Sequence, residues 1–206
     1  YCVAVDGDGD RIVLSDSKGN TFSGDDILYT LAARNKMLGK KSSDKVIGTI
    51  MSNQGVVEAL DALGIGFIRT AVGDKFISRE LVKENLNIGA EPSGHVIQRE
   101  FSESGDANIA LIQTLSALQE LDTSIEEIKS KIRYKPLTLK NFSVENPSVI
   151  ETPEFNTSID GLKKNYPSAR ISVRKSGTEP IVRVMVEAET ENEKDSILAK
   201  IESLIA

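Results

Sequence analysis

Cysteine is nearly missing from this sequence, with one residue in 206, and tryptophan is missing altogether. A single cysteine excludes an internal disulfide and suits a reducing cytosol. With no histidine nearby to activate it, Cys2 is expected to be a small core residue and not a nucleophile. No apolar run approaches the ~18 residues of a membrane span, and no signal-peptide pattern is visible. Basic residues are in deficit, 25 Lys and Arg against 31 Asp and Glu, so nucleic acid is a poor partner. Recognition of an anion would rest on a few local Arg and Lys side chains. Internal repeats and low-complexity stretches are also lacking, which removes repeat arrays from consideration.

What is present is an ordinary soluble composition, 39% hydrophobic and 27% charged, over a length that suggests two or three small domains. The chain opens on Tyr1 inside the apolar run Tyr1-Cys2-Val3-Ala4-Val5, which reads as a strand. The expectation is therefore the later part of a longer cytoplasmic protein, its N-terminal part missing.

That strand runs into Asp6-Gly7-Asp8-Gly9-Asp10-Arg11. In an extended chain Asp6, Asp8 and Asp10 would point to one side. Carboxylates so close repel unless a cation sits among them, and an all-oxygen donor set points to Mg²⁺ or Ca²⁺. An EF-hand does not fit, because Arg11 stands where its glycine is needed and Ser17 where its bidentate Glu is needed. A phosphatase-type Asp-x-Asp loop and a solvated acidic turn compete with the metal loop. Arg11 favours an ion that shares its site with an anion, most simply a phosphate.

Periodicity then organises the chain. A hairpin over 12–22 is followed by a helix carrying Ile27, Leu28, Leu31, Ala32 and Leu38, with cap candidates at Ser23 to Asp26. The polar run Gly39 to Ser43 suggests a domain boundary near 41/42. Strands at 46–51, 65–70, 87–91 and 95–99 alternate with helices at 55–63, 75–84 and 107–121, the pattern of a mainly parallel α/β sheet over 42–133. Ligands of such sheets bind at the carboxyl ends of strands. There lie Met51-Ser52-Asn53, Val72-Gly73-Asp74-Lys75 and Glu91-Pro92-Ser93-Gly94-His95. Residues 134–206 read as a smaller α+β domain, with strands at 137–144, 170–174 and 181–188 and helices near 153–164 and 190–205.

Two of the loops carry candidate ligand groups. Arg174-Lys175-Ser176-Gly177-Thr178 joins cationic side chains, hydroxyls and exposed backbone N–H groups, which suits a phosphate, and Arg183 on the next strand could add a guanidinium. Glu91, Ser93 and His95 could hold sugar hydroxyls or a phosphate. For Asp74 the reading is a helix cap, with Lys75 beside an anion as the weaker option.

Together these residues resemble the α-D-phosphohexomutases, in their phosphoglucosamine mutase branch. Asp6 to Arg11 looks like that family's Mg²⁺ loop, Ala90 to His95 like its sugar loop, and Arg174 to Glu187 like its phosphate loop. The resemblance implies an intact enzyme of four domains, with 1–41 ending the metal-binding second, 42–133 the third and 134–206 the fourth. It implies Mg²⁺ held by Asp6, Asp8 and Asp10, and Arg11 as a catalytic group. Glu91, Ser93, His95, Arg174, Ser176, Gly177, Thr178 and Arg183 would bind a hexosamine phosphate, with a homodimer as one possible assembly. The phosphoserine of the first domain has no counterpart, and Ala71 stands where a lysine is expected. The isolated chain is then expected to be inactive; phosphomannomutase or phosphoglucomutase chemistry, a phosphosugar-binding module and a Ca²⁺-binding structural domain are the competing readings.

Overall fold

A computed structural model describes residues 1–40, 44–144, 146–176 and 179–205. It is a mixed α/β structure that divides into two compact units, Tyr1–Tyr134 and Lys135–Ala206.

The first unit begins with three antiparallel strands in the order β1-β2-β3, namely β1 (Cys2–Val5), β2 (Ile12–Ser15) and β3 (Thr21–Phe22). Ile12, Leu14 and Phe22 are buried, whereas Cys2 is exposed with the rest of β1. The expectation of Cys2 as a core residue is thus corrected: all four residues of this strand are exposed. Helix α1 (Gly24–Met37) follows, started by a reciprocal capping box in which Ser23 Oγ accepts from Asp26 N–H and the Asp26 carboxylate accepts from Ser23 N–H.

A four-stranded sheet in the order β5-β4-β6-β7 forms the centre: β4 (Lys45–Thr49), β5 (Gly66–Thr70), β6 (Ile88–Ala90) and β7 (Val96–Gln98). β4 runs parallel to β5 and β6, and β7 closes the edge antiparallel to β6. Helices α2 (Gln54–Ala62) and α3 (Asp74–Lys83) make the crossovers, and α4 (Ala107–Glu120) and α5 (Ile125–Lys131) complete the unit. Alternation along β4 sends Val46 into the core shared with α1, α2 and α4, and Ile47 into a smaller cluster with Ile77, Leu81, Leu86 and Ile97. A strand packed on both faces explains its unbroken apolar run.

The core holding Val46 and Ile88 also holds Ile12, Leu14, Phe22 and Leu31, so the polar run near residue 41 lies within the first unit and not at its edge. Helix α5 was not expected from the sequence. Its capping box of Ser124 and Glu127 and its buried Ile125 and Ile128 are the signal that short apolar spacing concealed.

The second unit is a three-stranded antiparallel sheet, β8-β10-β9, from β8 (Leu137–Ser143), β9 (Arg170–Lys175) and β10 (Ile181–Glu187). α6 (Pro153–Asn165) and α7 (Glu191–Ile205) supply Phe155, Ile159, Leu162, Ile197, Ile201 and Ile205 against Val182, Val184 and Val186 of the central strand. The spacings, four and three in α6 and four in α7, are those of one buried stripe on each helix. Buried Glu187 is ion-paired with Arg170 directly across from it.

Replacing Ile47 with Ala removes packing between β4 and α3 at a fully buried point. The expected cost is about 2–5 kcal/mol, read as a lower urea midpoint with an unchanged slope.

Candidate functional site

β1 ends at Val5, and the acidic loop is not extended as the sequence suggested: residues 7–9 turn, Gly9 N–H reaches Asp6 O at 3.3 Å, and Gly9 has φ +78°. The three carboxylates converge by this turn and not by strand alternation. One oxygen each of Asp6, Asp8 and Asp10 lies within 4.8 Å of the others. Asp6 Oδ1 accepts from the backbone N–H groups of Asp10 (3.2 Å) and Arg11 (3.0 Å), and Asp6 Oδ2 takes the Arg11 Nε–H at 2.6 Å. These bonds, first the Arg11 backbone N–H and then its guanidinium, hold the Asp6 carboxyl down to about 2, so it is ionised at any working pH. Three hard, anionic oxygen donors at this spacing fit a small divalent cation such as Mg²⁺.

The loop is fastened on two sides. Gly9 O accepts from the N–H of Ala107, the first residue of α4, at 3.0 Å. On the other side Arg11 and His95 form an isolated antiparallel bridge, and Ile12 N–H donates to Gly94 O at 3.2 Å. Gly94 has φ +94°, and a Cβ there would lie 2.1 Å from Ile12 O; one on Gly24 would lie 1.8 Å from Glu91 O. Both positions therefore have to be glycine for the 91–95 loop to lie against the acidic loop and the start of α1.

Two of the loops at the carboxyl ends of the parallel strands are bonded to each other. Gly73 N–H donates to Glu91 Oε1 at 2.9 Å, which ties the loop after β5 to the loop after β6. Gly73 itself caps α3 without a side-chain bond, so the expected cap at Asp74 is displaced by one residue, Asp74 being the first helical residue. Ser93 is exposed beside the half-buried Glu91. His95 is different: its ring is buried, and Nδ1 lies 3.1 Å from Asp10 Oδ2. Lys75 Nζ sits over the ring of its neighbour Phe76, 5.0 Å from the centroid.

Asp25 escaped the sequence reading as a site residue. It is 2% exposed, and its Oδ2 accepts from Asn53 N–H at 2.9 Å at the carboxyl end of β4. Burial lifts its carboxyl to about 6, against the lowering effect of the Asn53 N–H, the Ser52 hydroxyl and the Arg69 charge. Arg69 is aimed there by bonds to Thr49 O (3.1 Å), Ser52 O (2.6 Å) and Gln54 Oε1 (2.9 Å).

In the second unit, Arg174 and Arg183 are direct partners across β9 and β10 and so share a face. Like charges placed opposite one another favour an anion between them. Arg183 Nη2 is 3.8 Å from Glu179, and its Nε is buried without a hydrogen bond among the described residues. Ser176 N–H closes the hairpin on Ile181 O at 3.0 Å. Lys175 is committed elsewhere, to Glu151 at 2.8 Å and Ser148 Oγ at 2.9 Å. Gly177 and Thr178 lie outside the described residues.

Comparison with known proteins gives a consistent picture. Residues 23–134 match the model for the phosphoglucomutase/phosphomannomutase α/β/α domain III, and residues 118–204 match that for the C-terminal domain IV. Phosphoglucosamine mutase of Bartonella quintana is 33% identical over 99% of this chain and 45% of its own length. That of Acinetobacter baumannii is 39% identical over 93% and 42%. Among solved structures, an N-acetylglucosamine-phosphate mutase in its product complex superposes with a TM-score of 0.80 at 23% identity, over 99% of this chain and 48% of that one. The Aspergillus fumigatus N-acetylphosphoglucosamine mutase, in complex with GlcNAc-6P and magnesium, gives a TM-score of 0.80 at 20% identity, over 99% and 48%. The chain thus spans a little under half the length of the relatives it matches. No helix among the described residues is long and apolar enough to cross a membrane.

The Asp25 carboxyl gives a pH signature. Between its ordinary value of 3.8 and about 6 the folded chain keeps a proton that the unfolded chain has released, so this group's contribution is full at low pH and is lost as pH rises through 6. Its size is on the order of 3 kcal/mol. Asp25→Asn removes that dependence, so the difference in stability between variant and wild type should move in the variant's favour from pH 4 to pH 7. A constant difference would contradict the assignment.

Proposed function

Because the chain belongs to the phosphoglucomutase/phosphomannomutase family, we propose that it forms the metal- and sugar-phosphate-binding part of a phosphoglucosamine mutase, interconverting glucosamine 6-phosphate and glucosamine 1-phosphate. The observation that carries this reading is the convergence of Asp6, Asp8 and Asp10 beside Arg11 in a loop bonded to the 91–95 loop. The likeness of several phosphoglucosamine mutases at 33–39% identity favours the amino-sugar branch over phosphomannomutase or phosphoglucomutase activity.

In this reading Asp6, Asp8 and Asp10 hold Mg²⁺, which supplies charge withdrawal from a phosphoryl group in transfer. Arg11 steadies the same phosphoryl oxygens; its guanidinium already lies between Asp6 and Asp10, 2.6 and 3.4 Å from their oxygens. The carboxylate of Glu91, fixed through Oε1 by the Gly73 N–H, keeps Oε2 for a sugar hydroxyl, and the exposed Ser93 supplies a hydroxyl beside it. In the second unit Arg174 and Arg183, with Ser176, Gly177 and Thr178, take a phosphate. The phosphoserine that gives and recovers the phosphoryl group belongs to a preceding domain, which makes that domain the chain's first partner. The reaction is assigned to the cytoplasm, and a homodimer is the assembly to test first.

Two outcomes check this. The chain extended by the domains its relatives possess converts glucosamine 1-phosphate in preference to glucose or mannose 1-phosphate, and the 206-residue chain alone gives no turnover; a preference for the hydroxy sugars would select the sister activities. Arg174→Ala weakens binding of sugar phosphate by about 10- to 100-fold, the worth of a charge-assisted bond. The same change leaves Mg²⁺ affinity unaltered.

A further inference from the structure

We propose that Asn141 is a third member of the phosphate site of the second unit, a binding residue whose side-chain N–H donates to an oxygen of the phosphate held by Arg174 and Arg183. The proposal deepens the reading of those two arginines as a phosphate site and rests on it. Its basis is the register of the sheet. Asn141 of β8 lies directly across from Arg183 of β10, and Arg183 lies directly across from Arg174 of β9. The three residues thus form one row over the three strands, with neighbouring Cβ atoms about 5 Å apart. Alternation settles which face carries the row. On either side of Asn141, Lys140 Nζ pairs with Glu202 of α7 at 3.0 Å, and Phe142 packs against the core that α6 and α7 cover. Val182 and Val184, which flank Arg183, belong to the same core, and Val173, next to Arg174, packs against it. Successive side chains of a strand point to opposite faces, so Asn141, Arg183 and Arg174 stand together on the face away from the helices.

The donors of this row are uncommitted. Asn141 and Arg174 are exposed, and neither side chain makes a hydrogen bond or ion pair among the described residues. Arg183 Nε has no hydrogen bond there either. An anion shared by the two guanidinium groups lies toward the β9 end of the row, and Asn141 closes the β8 end. A phosphate group accepts hydrogen bonds through three terminal oxygens, which is more than one donor per arginine satisfies. The residue type suits the place. A third cation would repel the other two, and a carboxylate would pair with them and take the phosphate's position. An amide does neither, and its NH₂ group supplies two donors. β8 is an edge strand, so Asn141 has no cross-strand neighbour but Arg183, and sheet packing does not call for an amide here.

The test measures binding of inorganic phosphate and of glucosamine 6-phosphate to the 206-residue chain by calorimetry, with the Asn141 side-chain amide followed in ¹⁵N–¹H correlation spectra. Asn141→Ala should bind both probes about three- to tenfold more weakly, the worth of one uncharged hydrogen bond. Asn141→Asp should lose about tenfold or more, because its carboxylate competes for the guanidinium groups. In the wild type the amide signal should shift on adding phosphate, with the affinity that calorimetry gives. Thermal unfolding and Mg²⁺ affinity should not change in Asn141→Ala, which separates binding from a structural role. If Asn141→Ala binds both probes as tightly as wild type while Arg174→Ala does not, the inference is overturned and the arginine site stands. An amide signal that does not move at saturating phosphate overturns it as well. If the wild type binds neither probe, or Arg174→Ala binds them as tightly as wild type does, the phosphate reading falls and the inference with it, a result distinguishable from the first.

Discussion

Mutual repulsion among three carboxylates in a five-residue loop is the constraint to which the rest of the first unit answers. The loop closes because each source of positive potential within reach is turned toward it. Two backbone N–H groups and the Arg11 guanidinium are spent on Asp6, and the His95 N–H on Asp10. The N-terminal residue of α4 holds the turn through Gly9 O. None of these groups neutralises the full charge of the trio, which is why the proposed reading adds a divalent cation with oxygen preference.

The sheet supplies the rigid frame for this arrangement. Parallel strands deliver their loops to one edge, where single, directional bonds join them: Gly73 N–H to Glu91, Asn53 N–H to Asp25 at the start of α1, and Gly24 N–H to Pro92 O. Close backbone approach at Gly24 and Gly94 makes the 91–95 loop and the acidic loop a single piece of structure, so a change in one is felt in the other. Asp25 illustrates the cost of such an edge: a carboxylate buried among polar loop atoms, kept because it fixes Asn53 and raised in pKa by the burial that its position demands.

Much of this was legible in the sequence, and the failures have physical causes. Strands and helices with long apolar periodicity, such as α4 and β10, stand within a residue or so of where their pattern places them, because burial on one face dictates that pattern. The acidic, 91–95 and 174–178 loops stood out because alternating carboxylates, or cations mixed with hydroxyls and glycine, have no packing rationale. What the pattern did not reveal depends on groups distant in the chain. Cys2 and Val3 look like core and are exposed, since apolarity names a face to be covered but not what covers it. The shared core of residues 12–32 with the sheet was hidden because a polar run marks a loop, not the absence of packing across it. His95 stands in the same loop as Glu91 and Ser93, but the contact of its Nδ1 with Asp10 Oδ2, a residue 85 positions earlier, is one that no local pattern shows.

The most direct test of the account is calorimetric titration of the 206-residue chain with Mg²⁺, alongside the Asp8→Asn variant. Asp8 is the exposed member of the trio and the one whose replacement least disturbs the fold. The account predicts one saturable Mg²⁺ per chain in the wild type and a loss of at least tenfold in affinity in the variant. Equal binding by the two chains, or none by the wild type, would contradict it.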